Sequence, residues 1–319
     1  MDRWSGILKV PVCLKGATQC RVAASLCVSP SSKTLVVPNA NAIFFNGDRV
    51  EGTGNPVIDK LSDLQNIVQV LVSKFGPFVN AWVIEASTFN GPFAVYKEFI
   101  ESLNKWGEPQ AYKPNGFPAS TSIVSLLSNF CSEADLSINP GTYHHHVAAA
   151  SSLFPPKTAI LGFSKGGVVL NQLITEFSFL NNRNWEDPKQ AKLSEFPRNQ
   201  IIPNSTESFL DIVTEIHFVD VGLNAPGAYL TDDTTIERIA ERLIERDKRM
   251  RFVLHGTPRQ WNDKRRAWIC EEKNKFCHLL ELCAKKTEGR LDVAEMTYLV
   301  DRPPDLQMHF QIIEELVVT

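Results

Sequence analysis

The residues with the clearest chemical potential are Gly162-Phe163-Ser164-Lys165-Gly166, a G-x-S-x-G pentapeptide. Thr158 to Leu161 before it is an apolar run of strand length, and Val168 to Phe179 after it has helical spacing. A serine at such a junction sits on a sharp strand-to-helix turn that lifts its hydroxyl above the sheet edge. Residues without a β-carbon relieve the crowding of that turn, which accounts for Gly162 and Gly166, and Gly167 adds room where the helix packs down. A serine hydroxyl is too weak an acid to attack a carbonyl at neutral pH. It needs an imidazole as base and a carboxylate to orient that imidazole.

In an α/β sheet those partners lie at the carboxyl ends of later strands, in the chain order Ser, Asp or Glu, His. His144, His145 and His146 precede the serine. His217 falls mid-strand, where packing is the simpler reading, His255 ends the penultimate strand, and His278 lies in a helical stripe. His309 follows the last strand, in a Pro-containing loop, and is the candidate base. Two acids are eligible. Asp220 stands at the end of the strand Glu215 to Val219, and Asp263 follows the next strand. Asp263 is slightly preferred, because the acid most often follows the penultimate strand. The oxyanion of a tetrahedral intermediate would be met by the Lys165 N–H and by the loop Asn46-Gly47-Asp48. Asp48 is unusual there, since its carboxylate must point away from the developing charge. Lys165 would either offset that carboxylate or face solvent.

The elements needed to hold these residues can be read along the chain. Leu8 to Cys13, Gln19 to Val28 and Thr34 to Val37 are β-prone and suit antiparallel edge strands. From residue 42 onward strands and helices alternate: strands at Ala42 to Phe45, Ala81 to Glu85, Arg251 to Leu254 and Met296 to Val300, with helical stripes between them. Phe93, Tyr96, Phe99, Ile100 and Leu103 carry helical spacing, as do Leu61 to Phe75 and Ile123 to Phe130. Thr234 and Glu237 form a capping box for the next helix. The alternation predicts an α/β, three-layer fold: a mostly parallel sheet with antiparallel N-terminal edge strands. One domain spanning 1–319 is expected, with 1–40 as the edge and 181–206 as a polar insertion. That insertion reads as a flap over the site, poor in apolar anchors, which favours small or polar acyl substrates over long lipids.

Composition narrows the partners. A net charge of −3 gives no reason to expect nucleic acid, and 43% hydrophobic residues supply an adequate core. No apolar run approaches the roughly 20 residues of a membrane span. The seven cysteines form no C-x-x-C pair and are odd in number, which suits buried thiols in a reducing compartment. The N-terminus lacks a signal-peptide core and an Arg-rich presequence, so cytosol is the default expectation. No cofactor and no metal are expected; the three adjacent histidines lack a supporting Cys or carboxylate cluster. Lys264-Arg265-Arg266 beside Trp268 reads as the solvated start of a helix, the alternative being a site for an acidic ligand. The expected partner is a small-molecule ester or acyl compound. A non-catalytic hydrolase-fold protein that binds a protein partner is the competing reading, supported by Asp48, the ambiguous acid, and Arg259 where many hydrolases have their Asp.

Ile160 to Gly166, continuing through Val168-Val169-Leu170-Asn171-Gln172-Leu173, closely resembles the elbow of a eukaryotic α/β-hydrolase-like family whose human member is known as a chromosome 2 open reading frame protein. His255-x-Thr257-Pro258 followed by Asp263, Arg266 and Trp268 is similar too, as are Asp220-x-Gly222 and His309-Phe310. The resemblance covers roughly residues 42 to 312. It implies an α/β-hydrolase fold with a serine-hydrolase triad, distantly similar to lipid-droplet-associated hydrolases, and implies no particular substrate. Animal members are associated with mitochondria and carry a longer N-terminal extension, so the resemblance offers a mitochondrial location as the alternative to cytosol. The short N-terminus and the 181–206 segment suggest a separate branch, a plant one.

Overall fold

The computed structural model describes residues 1–12, 18–138, 156–180 and 200–318. Eight strands form the central sheet: β1 (Asp2–Pro11), β2 (Gln19–Val28), β3 (Ala40–Phe45), β4 (Val79–Ile84), β5 (Lys157–Phe163), β6 (Val213–Val219), β7 (Met250–Gly256) and β8 (Leu291–Thr297). Their spatial order is β1-β2-β4-β3-β5-β6-β7-β8. The two N-terminal strands pair antiparallel, β2 meets β4 antiparallel, and every later pairing is parallel. The alternation of strand and helix therefore delivers the parallel sheet it predicts, and the β-prone N-terminus delivers the antiparallel edge.

Nine α-helices follow the chain: α1 (Pro56–Ser62), α2 (Leu64–Phe75), α3 (Pro118–Ile138), α4 (Gly167–Phe179), α5 (Thr206–Ile212), α6 (Asp233–Glu245), α7 (Pro258–Trp261), α8 (Ala267–Lys286) and α9 (Leu306–Glu315), counted among the described residues. They divide between the two faces, each with its own core. Helices α3, α4, α6 and α8 bury Ile123, Leu170, Ile236 and Phe276 against one face. Helices α1, α2 and α9 bury Leu61, Ile67 and Ile312 against the other. Helix α4 runs down the middle and is buried along nearly its whole length, so its polar residues need internal partners. Asn171 Nδ2 donates to the Ala228 carbonyl at 3.0 Å, and Glu176 accepts from the Ala119 and Ser120 N–H groups at 2.7 and 2.9 Å. Glu176 thereby supplies acceptors to the first turn of α3.

Several local expectations change in the folded chain. The stripe at residues 93–103 is not a helix: short hairpins, Thr88–Asn90 with Phe93–Val95 and Ser102–Leu103 with Pro109–Ala111, occupy that region. Tyr96 and Phe99 bury edge-on against Phe45, and the Tyr96 hydroxyl donates to the Asn46 carbonyl, so tertiary burial rather than helical period explains their apolar spacing. Residues 34–37 contribute only an isolated bridge, Val28 to Leu35. Helix α6 is capped by Asp232, which accepts from Thr235 N, instead of by Thr234. The last strand ends at Thr297, earlier than Val300.

The insertion expected at 181–206 lies outside the described residues as far as 199. Its flanks are visible and do not border the elbow. Helix α4 carries the chain about 20 Å away from Ser164, at 1.5 Å per residue over 13 residues. Leu180 then accepts from Arg242 at the far end of α6, and the Ile201 carbonyl accepts from Asn41 at the start of β3. Ile201 and Ile202 are core residues there. The chain leaves and re-enters at the sheet's amino edge. The three adjacent histidines, His144 to His146, and Cys13 also lie outside the described residues; the six described cysteines are free thiols.

Candidate active site

The register of the parallel strands decides which loops meet. Phe45 lies opposite Gly162, Val219 opposite Phe163, and Val219 opposite His255. The loops that leave these positions, at residues 46–48, 164–166, 220–224 and 257–266, therefore converge at one edge of the sheet. Together with α9 they enclose a cleft of about 160 Å³ lined by Asp48, Ser164, Lys165, Arg259, Arg266 and His309, among others.

Ser164 follows β5 directly, with φ at +52°, and opens a one-turn 3₁₀ helix that runs into α4. A non-glycine residue in the left-handed region is strained by about 1–2 kcal/mol and is held there only by its surroundings. Those surroundings are tight. A β-carbon on Gly166 would stand 2.2 Å from the Phe45 carbonyl oxygen, and one on Gly162 would stand 2.8 Å from Gly167 Cα. A β-carbon on Gly47 would stand 2.7 Å from Ser164 Cβ. The loop after β3 thus presses directly on the serine, and only glycine permits that approach.

His309 lies in the first turn of α9, not in a loop. Asp305 caps that helix by accepting from Met308 N at 2.7 Å, which fixes the turn. The imidazole rests on the Phe163 ring, with centroids 4.6 Å apart. Its Nδ1 lies 2.6 Å from Asp220 Oδ2. Asp220 is fully buried, has φ at +45°, and holds both oxygens in use: Oδ1 accepts from the Thr257 N–H at 2.7 Å and from Thr257 Oγ1 at 2.9 Å. With Nδ1 engaged by a carboxylate, the Nδ1–H tautomer is favoured and Nε2 is left as the basic nitrogen. His309 Nε2 and Ser164 Oγ each lack a hydrogen-bond partner among the described residues, and they do not bond each other in this structure.

The structure brings Asp220 to His309 and does not bring Asp263. The Asp263 carboxylate caps the turn Lys264–Arg266, accepting from Arg265 N at 3.0 Å and Arg266 Nε at 3.0 Å. The preference for Asp263 rested on chain order. What separates the two acids is that β6 ends beside β5, whereas Asp263 lies seven residues past β7 with its side chain turned to its own helix start.

Lys165 is buried, so it is not a solvent-facing lysine. Its ammonium lies 3.2 Å from Asp48 Oδ1, donates to the Trp106 carbonyl at 2.8 Å, and sits over the Phe93 ring at 4.5 Å. Asp48 also accepts from Ala94 N at 2.8 Å. Burial raises the Asp48 carboxyl above its ordinary range, and the Lys165 charge opposes that rise. The N–H groups of Gly47 and Asp48 meet no acceptor among the described residues, and the Lys165 N–H is one of the unpaired donors at a helix start.

Two features escaped the sequence. Thr257 anchors Asp220, although only its presence in the His255-x-Thr257-Pro258 motif marks it. His217 and His255 are not simple packing: His217 lies 3.1 Å from Glu215 and 3.0 Å from His255, which in turn meets the Tyr298 hydroxyl at 2.8 Å. Burial, then the neighbouring His217 and Arg251, push the His255 imidazole down to about 2. Among the described residues no cluster of His, Cys, Asp and Glu suits a metal ion, and no helix is long and apolar enough to cross a membrane.

The strand order, the elbow and the two-faced helical packing define an α/β-hydrolase fold. Within that fold, the chain belongs to the C2orf69 family, whose sequence profile matches residues 119–285. It is 25% identical over 288 residues to the mouse protein called mitochondrial protein C2orf69 homolog, covering 79% of this chain and 69% of the mouse one. It is 24% identical over 287 residues to human mitochondrial protein C2orf69, covering 79% and 66%. The matches thus span about two thirds of these relatives' lengths. Among solved structures, a siderophore hydrolase EstA from Aspergillus nidulans is similar at 13% identity and a TM-score of 0.44, over 98% of this chain and 95% of that one.

Proposed function

We propose that this chain is a serine hydrolase that cleaves a small ester or thioester through an acyl-enzyme on Ser164. The observation that carries this reading is the 2.6 Å contact between His309 Nδ1 and the buried Asp220 carboxylate, with the imidazole lining the same cleft as a strained Ser164. Ser164 Oγ bonds to the substrate carbonyl carbon while its proton passes to His309 Nε2, and the carbonyl π pair moves onto oxygen. The resulting oxyanion is met by the N–H of Lys165 and an N–H of the Gly47-Asp48 loop. Collapse breaks the bond to the leaving alcohol or thiol, which takes the proton from Nε2. Water repeats the sequence, freeing the acid and restoring Ser164. Asp220 holds the imidazole and stabilises its cationic form. Lys165 offsets the Asp48 charge, which would otherwise oppose the oxyanion.

A fluorophosphonate probe tests the reading directly. The wild-type chain is expected to be labelled and Ser164→Ala to be inert; equal labelling of both removes Ser164 from the chemistry. A second reading, a non-catalytic hydrolase-fold protein that binds a partner, is favoured by the carboxylate of Asp48 standing at the oxyanion loop, and it predicts no labelling of either. We further infer a mitochondrial rather than cytosolic workplace from the names of the mouse and human relatives. Imaging of the tagged full-length protein beside a mitochondrial marker tests it, and a diffuse cytosolic signal would reject it.

A further inference from the structure

We propose that the cleft takes an acyl group that carries its own carboxylate, and that Arg259 binds it; the idea deepens the hydrolase reading and rests on it. Three cations line the cleft. Lys165 is matched by Asp48 at 3.2 Å. Arg266 is matched by Asp263 at 3.0 Å and by the Gln260 side-chain oxygen at 2.8 Å. Arg259, in the short helix α7, makes no hydrogen bond and no ion pair with any described residue, although it is only partly exposed.

The acids near Arg259 are already engaged. Asp220 is bound to Thr257 and His309, Asp263 to Arg265 and Arg266, and Asp305 caps α9. Arg266, on the same wall, repels it, while Asp220, Asp263 and Asp305 attract it from a distance without bonding to it. A half-buried guanidinium with five donors and no acceptor is an incomplete arrangement, because charge withdrawn from water is stable only when paired. A planar carboxylate completes it, since two parallel N–H···O bonds match the guanidinium fork. Asp48 with Lys165 and Asp263 with Arg266 form neutral pairs, and the buried Asp220 carboxylate offsets Arg259 in net charge without bonding to it, so what Arg259 lacks among the described residues is a hydrogen-bonded acceptor. The elbow serine lines the same cleft, so an anion held by Arg259 belongs to the molecule whose carbonyl meets Ser164.

Size limits that molecule. A dry cavity of about 150 Å³ holds benzene, six heavy atoms, so the cleft of about 160 Å³ suits an acyl group of similar bulk. A chain of about four carbons ending in a carboxylate meets both conditions. The substrate class is then a half-ester or half-thioester of a short dicarboxylic acid, with the alcohol or thiol portion extending outward.

The test compares two activated esters, p-nitrophenyl hemisuccinate and the neutral isostere p-nitrophenyl 4-methylpentanoate, after subtraction of uncatalysed rates. The wild-type kcat/KM is expected to favour the anionic ester at least tenfold, and Arg259→Gln to cut that ratio by about 10- to 100-fold, mainly through KM. A purely structural role for Arg259 would lower both rates and leave the ratio alone. A ratio that Arg259→Gln does not move, or a wild type that prefers the neutral ester, overturns the proposal. Calorimetric titration of Ser164→Ala protein with N-methylsuccinamate, against its neutral counterpart N,4-dimethylpentanamide, separates the two levels. Arg259-dependent preference for the anion without turnover of either ester rejects the hydrolase reading alone. Turnover without Arg259-dependent preference in either measurement rejects the anion subsite alone, and neither binding nor turnover rejects both.

Discussion

Replacing Asp220 by Asn separates the structure's choice of acid from the one that chain order prefers. The outcome can be worked from the hydrogen bonds. The Thr257 N–H is a backbone donor that cannot turn, and it lies 2.7 Å from Oδ1. An asparagine at 220 must therefore place its oxygen there, which puts its NH₂ where Oδ2 now accepts from His309 at 2.6 Å. Facing a donor, the imidazole keeps its proton on Nε2 and can no longer take one from Ser164. The loss expected from such a tautomer switch is about 10⁴ in kcat, or roughly 5 kcal/mol of transition-state stabilisation. The fold should survive, because Asn tolerates the positive φ of this position and keeps the bond to Thr257. Asp263→Asn should cost less than about tenfold, since it weakens only a turn cap and the hold on Arg266. The assay is the rate of fluorophosphonate labelling, or of activated-ester turnover, for both variants, with circular dichroism as the folding control. A folded Asp220→Asn within tenfold of wild type, or a larger loss in Asp263→Asn, would mean that Asp220 does not orient the base.

Three further outcomes follow from the packing around the site. Gly166→Ala forces a β-carbon to 2.2 Å from the Phe45 carbonyl oxygen, so it should cost about 1–3 kcal/mol and slow labelling of Ser164; an unchanged melting temperature would contradict it. Glu176→Gln turns an NH₂ toward one of the two N–H groups that its separate oxygens now accept from, at 2.7 and 2.9 Å, and should lower stability by about 1–3 kcal/mol in urea titrations. His255 is depressed to about 2 when folded, so its contribution to stability is complete above an unfolded value near 6.5 and falls as pH drops below it. Unfolding free energy should decline by about 1.4 kcal/mol per pH unit there, and His255→Gln should flatten that slope; an unaltered slope would mean that His255 is not the group responsible.

Much of the site could be read from the sequence because its first part is local. Ser164 needs only a strand before it, a helix after it and glycines at fixed offsets, all of which are short-range patterns. His309 could be singled out because a parallel sheet restricts a base to positions after the last strand, even though the α9 turn that carries it was not foreseen. The strands of the parallel core were legible for the same reason: buried strands are continuous apolar runs, and α/β alternation leaves few topologies. Tertiary structure decided what depends on distant elements meeting. Asp220 and Asp263 are both eligible by chain order, and only the register of β5, β6 and β7, with Thr257 turned inward, delivers one carboxylate to His309. The apolar spacing at 93–103 fits a helix, yet Phe45 and the Asn46 carbonyl, about fifty residues earlier, draw Tyr96 and Phe99 into the turn between two short hairpins. That Arg259 bonds to no acid among the described residues is likewise invisible in sequence, because a partner's absence is a property of the space around a side chain and not of its neighbours along the chain.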